Sequence, residues 1–354
     1  MSAVAEKTPP RIAAEDTRMY REIAETSDAI ARQLEHNAAL VRTLADALRS
    51  DPPRLVATGA RGSSDNAATF AKYLIETRLG VATMSAAPSV QSIYAAEQDL
   101  DHTLFLAISQ SGRSPDLLRQ GESAKRAGAR VVAMVNVEDS PLASAADFVI
   151  PLRAGPELSV AATKSFLCSL SAIVQLAAEW KDDAPLRDAL AGVPAALRDD
   201  ASHDWQTLVD GLADARSLFV VGRGLGLAAA QEAALKLKET CGIHAEAFSA
   251  AEVQHGPMTL VDQGFPVVFF VQDDDTKAST LEVAAKFCAR GAHVWTIGAE
   301  APGCEALTLP AVRDPACSPL VAMHRFYAAA NALAVRRGRD PDAPPHLSKV
   351  TETV

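Results

Sequence analysis

The chain of 354 residues reads as α/β, two tandem doubly wound parallel-sheet domains. Three observations carry that reading. Short apolar runs alternate with helical patterns along most of the chain, as in βαβ units whose sheet is covered on both faces. The second half repeats the first: one ungapped offset of 163 sets Gly222 on Gly59, the strand 267–271 on 104–108, and Gly291 on Gly128. A duplicated domain produces such a recurrence. Finally, hydrophobic residues make up 48% while aromatics are only 5%, so alanine and leucine fill the core, which favours helix-rich layers over an all-β sandwich.

Residues 1 to about 17, rich in Ala, Glu and Pro, read as an arm. The spacing Met19, Ile23, Ile30, Leu34, Leu40, Leu44, Leu48 then predicts one or two amphipathic helices, so 1–50 is an arm with helices. The first domain, 51–190, holds strands at 54–59, 104–109, 130–136 and 148–152, with helices at 65–76 and from Pro115 to Gly128. The stretch from Lys181 to Asp214, with Pro185 and Pro194, reads as the connection between the copies. The second domain, 191–337, places strands at 217–222, 266–271 and 293–298, and helices at 227–239 and 279–291. The tail, 338–354, is too proline-rich to be helical after Arg337 and is expected to fold over the active site.

Lys+Arg 34 against Asp+Glu 44 gives a net charge of −10. Such a surface repels phosphate backbones and anionic lipid, so nucleic-acid and membrane partners are not expected. The longest aliphatic or aromatic run, Val267 to Val271, is too short for a span, and the N-terminus has no apolar signal region. A soluble cytoplasmic protein is expected. Five cysteines (Cys168, Cys241, Cys288, Cys304, Cys317) without a CxxC point to neither a disulfide framework nor a zinc ribbon. His244 and Glu246 form the HxE of zinc deaminases, but no PCxxC follows, so no metal is expected. Gly222-Arg-Gly224-Leu-Gly226 lacks dinucleotide-fingerprint spacing, so no cofactor is expected either.

The copies differ where function would show. The strand 104–109 runs into Ser109-Gln110-Ser111-Gly112-Arg113-Ser114, and Pro115-Asp116 then starts a helix. Ser114 suits an N-cap and Pro115 the first helical position. Hydroxyls, a glycine and free amides at a helix start make a neutral anion nest, suited to a phosphate monoester. Alone, this loop reads better as a serine-rich turn with an ordinary cap. A second hydroxyl-rich turn, Gly62-Ser63-Ser64-Asp65, emerges at the same end of a parallel sheet, where ligands bind. In the second copy the equivalent place is Val271-Gln272-Asp273-Asp274-Asp275, whose acids repel phosphate. One phosphate site per chain is therefore expected.

These turns, with Val160-Ala161-Ala162-Thr163-Lys164, resemble the sugar-isomerase (SIS) domain of phosphosugar-binding proteins. The stretch Glu232 to Glu239, continuing through Ile243-His-Ala-Glu246 to Gln254-His255-Gly256-Pro257, is similar to the isomerase half of glutamine:fructose-6-phosphate aminotransferase. The resemblance implies two SIS-type domains and a phosphosugar substrate. It implies that Ser64, Ser109, Gln110, Ser111 and Ser114 hold the phosphate, with Val160, Ala161 and Ala162 on the sugar. It further implies catalytic roles for Glu239, Lys236, His255 and Lys349, with His255 reaching a neighbouring subunit's site, hence a homodimer. The synthases begin with a glutaminase domain, and this chain begins at the isomerase half, so no glutamine-hydrolysing activity is expected. They carry Glu, Thr and Ser where this chain has Arg113, Ser114 and Ala162.

Converting a 2-amino aldose to a ketose needs ring opening, a proton moved between adjacent carbons, and loss of the amine from the resulting imine. The proton shuttle wants one carboxylate that alternates as base and acid, tuned by an apolar pocket. Glu239 fits, with Lys236 at i−3 on the same helix side in an Ala- and Leu-rich segment. The plainer account of Glu232, Lys236 and Glu239 is a surface salt-bridge ladder. Ring opening wants a group that titrates near neutrality, which His255 supplies. The expectation is a stand-alone deaminase taking glucosamine 6-phosphate to fructose 6-phosphate and ammonia. The alternatives are a deglycase for fructosamine-type 6-phosphates, another phosphosugar isomerase, or a sensor that binds without chemistry; Glu239, His255 and Lys349 together favour an enzyme.

Overall fold

In the computed structural model, which describes residues 12–199 and 205–349, the chain opens with α1 (Arg18–Ala24) and α2 (Thr26–Ser50). Of the expected arm, residues 1–11 lie outside the described residues. The first copy follows: β1 (Leu55–Gly59), α3 (Ser63–Leu79), β2 (Ala82–Ser85), the short α4 (Ser89–Ser92), β3 (Thr103–Ser109), α5 (Pro115–Arg126), β4 (Arg130–Val135), the short α6 (Pro141–Ala145) and β5 (Phe148–Pro151). Then come α7 (Lys164–Lys181), α8 (Ala184–Arg198) and α9 (Gln206–Gly211). The second copy comprises β6 (Ser217–Gly222), α10 (Leu225–Lys236), β7 (His244–Ser249), β8 (Pro266–Phe270), α11 (Lys277–Ala289), β9 (His293–Ile297), β10 (Glu305–Leu307) and α12 (Ser318–Arg336).

Both sheets have five strands, all pairs parallel, in the orders β2-β1-β3-β4-β5 and β7-β6-β8-β9-β10. The two orders are the same, one for one, which is the duplication the 163-residue offset predicts. Gly59 and Gly222 end the first strand of each copy. The turns that follow share a backbone: Gly62 has φ 56° and ψ −131°, Gly224 φ 58° and ψ −129°.

Successive strand residues point to opposite faces. Leu104, Leu106 and Ile108 join Val268, Phe270 and Ile297 in one core that also takes α2, α3, α7, α10 and α12. Phe105 and Ala107 turn instead to α5, and Phe219, Val267 and Phe269 to α11.

The structure corrects several expectations. The stretch 181–214 is not a plain connection: α8 runs through it, with Pro194 inside the helix and Leu186, Leu190 and Val193 buried in the central core. The Pro194 carbonyl accepts the Ser27 hydroxyl at 2.8 Å, which ties this helix to α2. The edge strands β2, β7 and β10, whose residues are of mixed polarity, are additional to those the sequence predicts. The helix expected at 227–239 is α-helical only to Lys236, and Leu237–Cys241 widens into a π-helical turn. Cys288 and Cys304 form a disulfide, so the expectation of no pairing fails for these two, while Cys168, Cys241 and Cys317 are free and buried. Among the described residues, no helix is long and apolar enough to cross a membrane.

Candidate active site

Parallel strands end together, so β1 and β3 deliver their following turns to one rim. There a cleft of about 360 Å³ is lined by Ser63 and Ser64 of the first turn and by Ser109, Gln110, Ser111 and Ser114 of the second. The second turn keeps its donors for a guest. Ser109 Oγ accepts from Gly112 N (3.0 Å) and Ser111 Oγ from Arg113 N (3.3 Å), which leaves each hydroxyl proton to donate elsewhere. Ser114 stands at the N-cap of α5, but its hydroxyl makes no capping bond, contrary to the usual role of a serine there. Gly112 cannot be replaced, for its φ is 61° and a Cβ would lie 2.2 Å from Ser140 Oγ.

The second copy shows the alternative. Asp274 accepts from Thr276 N (2.8 Å) and from the Thr276 hydroxyl (2.6 Å). A carboxylate of the chain itself thus sits where the first copy leaves its donors open.

The opposite wall comes from the loop before α7, the second copy and the tail. Val160 and Ala162 line the cleft, as do Glu239, Leu347, Ser348 and Lys349. Ala161, assigned to the sugar by resemblance, is 1% exposed, belongs to the core and does not line the cleft.

Glu239 lies on the π-helical turn, its side chain 22% exposed and 2.5 Å from the Lys236 ammonium. The surface-ladder account fails, because Lys236 and Glu232 are fully buried. Lys236 also donates to Ser63 Oγ (3.2 Å) and lies 3.4 Å from Glu232. Glu232 accepts from Ser63 Oγ (3.1 Å), Asn66 Nδ2 (2.8 Å) and Tyr327 OH (3.0 Å), tying α3, α10 and α12 together. Burial disfavours the Lys236 ammonium, but Glu232 and Glu239 outweigh it and raise its pKa. Burial likewise raises Glu232, against the pull of Lys236. The surroundings of Glu239 are therefore an ion network and not the apolar pocket expected of a shuttle.

Lys349 donates to Glu157 Oε2 (3.0 Å) and to the Ser159 carbonyl (2.9 Å). His255 is not at this cleft: it follows the 3₁₀ turn Glu252–Gln254, is exposed, and stands on the loop after β7. His244 and Glu246 lie exposed on β7, the edge strand.

Sequence reasoning missed Arg61 and Glu157. Arg61 lines the cleft and binds the buried Asp116 through Nε (2.9 Å) and Nη2 (2.8 Å). Its position directly before the Gly62 turn was the available signal. Glu157 stands three residues before Val160, close enough to have been read with that motif.

The sequence matches the SIS domain family over residues 48–179 and 211–303. Glutamine–fructose-6-phosphate aminotransferase [isomerizing] of Pyrobaculum aerophilum is 35% identical over 347 residues, covering 94% of this chain and 56% of the relative. The chain thus spans little more than half the length of that relative. Among solved structures, a protein of Silicibacter pomeroyi DSS-3, provisionally named a phosphosugar isomerase, is 43% identical with a TM-score of 0.89, over 92% of this chain and all of that one. The C-terminal domain of glucosamine-fructose-6-phosphate aminotransferase from Francisella tularensis is 26% identical with a TM-score of 0.83, over 96% of this chain and all of that one. The chain therefore belongs to the SIS-domain family, as a phosphosugar-isomerase-type member related to the isomerase half of the aminotransferase.

Proposed function

We propose that the protein is an amino-sugar phosphate deaminase that takes glucosamine 6-phosphate and water to fructose 6-phosphate and ammonia. The observation that carries this reading is the meeting, in one cleft, of a neutral hydroxyl nest, the carboxylate of Glu239 and the ammonium of Lys349. Ser64, Ser109, Ser111 and Ser114, with the Gln110 backbone, hold the phosphate at the strand ends. Arg61 adds a cation that the buried Asp116 keeps in place.

With the sugar open, Glu239 takes the proton from C2 and returns it to C1 while a proton passes from the amine to O1, so the aldehyde becomes a CH₂OH and the amine carbon an imine. Water adds to that imine and ammonia leaves. Lys236 fixes Glu239 from below, and Glu232 fixes Lys236, so the carboxylate keeps one direction. Lys349 places its charge by the sugar's carbonyl end, where negative charge develops on the open-chain oxygen. His255 serves ring opening in the cleft of a second copy of the chain, which makes the working form a homodimer. Incubation of the pure protein with glucosamine 6-phosphate should release ammonia and fructose 6-phosphate in equal amounts. Ammonia from a fructosamine 6-phosphate alone would make it a deglycase, and binding without any product would make it a sensor.

A further inference from the structure

We infer that Glu157 is a positioning residue that fastens Lys349, and with it the C-terminal strap, across the cleft. Its significance for turnover rests on the deaminase reading above; its anchoring of the strap does not. Glu157 is 5% exposed and divides its work between two oxygens. Oε1 accepts the amides of Thr163 (3.1 Å) and Ser165 (3.0 Å), which closes the start of α7. Oε2 accepts the Ser165 hydroxyl (2.6 Å) and Lys349 Nζ (3.0 Å). One carboxylate thus holds both the loop that lines the cleft and the lysine that crosses it.

The strap has a first pin farther back. The Asp342 carboxylate accepts the amides of Arg18 (2.7 Å) and Met19 (2.8 Å), and its carbonyl accepts Val160 N (3.1 Å). Pro344 and Pro345 stiffen the path from there. Leu347, Ser348 and Lys349 then lie along the cleft, so the Glu157 pair is the second pin. The loop between is gripped independently, since Glu22 of α1 accepts the amides of Leu158 and Ser159 and the Ser159 hydroxyl. Removing the Glu157 charge should therefore free the strap and leave the loop.

The test is Glu157→Gln in the full chain. Glutamine can keep the amide bonds through its carbonyl oxygen but offers Lys349 no anion. In the wild type, limited trypsin digestion read by mass spectrometry should spare the bond after Lys349, whereas the variant should be cut there early. In glucosamine 6-phosphate turnover, kcat should fall roughly 10–100-fold, as for a misplaced group, with KM within about twofold. In a Lys349→Met background the same change should cost nothing further. Equal protection of the strap in wild type and variant would overturn the proposal, as would an undiminished kcat loss in the Lys349→Met background. If Lys349→Met alone is fully active, the catalytic reading of the lysine fails, and the trypsin result still decides the anchor. Should the glutamine variant not fold, Glu157→Asp withdraws the carboxylate by one methylene and should expose the same bond; protection equal to wild type would overturn the anchor.

Discussion

At the scale of single residues, a buried lysine between two carboxylates decides how the proposed shuttle behaves. Lys236 is held charged by Glu232 and Glu239 against its own burial. Breaking a buried pair leaves the partner charge uncompensated, which costs about 3–5 kcal/mol. Lys236→Met should therefore lower the Tm markedly, because Glu232 then loses its cation inside the core. Glu239→Gln, at the cleft wall, should leave the Tm near wild type and lower kcat at least ~10²-fold. Thermal unfolding of both variants beside their turnover separates the two roles, and a near-wild-type rate in Glu239→Gln would reject the shuttle. Glu157 makes a pH prediction of definite sign. Burial pushes its carboxyl up, but Lys349, the Ser165 hydroxyl and the Ser165 and Thr163 amides hold it below the ordinary 4.5. A carboxyl depressed on folding contributes stability that is complete above its unfolded value and lost as pH falls through its folded one. The Tm gap between wild type and Glu157→Gln should thus be flat from about pH 5 to 8 and close below about pH 4. A gap that widened on acidification would reverse that sign.

At the scale of elements, the turn from β3 to α5 is the phosphate-binding element of the proposed function. A donor lost from a multidentate anion site costs about 1–3 kcal/mol. Ser111→Ala and Ser114→Ala should each raise KM for the phosphosugar with little change in Tm, since neither hydroxyl caps α5. Ser109→Ala should raise KM and also lower the Tm, because Gly112 N would lose its acceptor inside the turn. Unchanged KM in all three would move the phosphate elsewhere. These strand-to-helix turns were legible in the sequence as a pair, because two hydroxyl-rich turns emerge at the same end of one parallel sheet. The strands they follow were legible for the same reason that they are buried on both faces, as continuous apolar runs. What escaped notice lacked such a pattern. Strand β7 alternates exposed and buried residues at the sheet edge, and β10 has three residues. The π-helical turn that aims Glu239 keeps helical periodicity in its letters and differs only in its hydrogen bonds. The burial of Glu232 was hidden because its partners, Asn66 and Tyr327, are 166 and 95 residues away.

At the scale of the whole molecule, duplication set up a division of labour. Both copies keep the same strand order and the same glycine turn, yet the first leaves its serine hydroxyl protons to donate while the second closes its turn with Asp274. The second copy supplies instead the helix that carries Lys236 and Glu239, and the loop that carries His255. Glu239 reaches the cleft of its own chain, and His255 stands exposed away from it. If His255 serves the other copy's cleft, the two residues of one working site come from different chains, and complementation follows. Glu239→Gln and His255→Ala homodimers should each be nearly inactive. In a hybrid dimer, one cleft combines both defects, while the other combines an intact Glu239 with an intact partner histidine. An equal mixture after subunit exchange is half hybrids, each with one good cleft of two, so about a quarter of wild-type activity should return. Hybrids isolated by two different affinity tags make the count direct. Recovery confined to the hybrid fraction is the expected outcome. Hybrids as inactive as their parents would mean that Glu239 and His255 act in the same chain's cleft, and that the loop after β7 reaches its own site by a rearrangement instead.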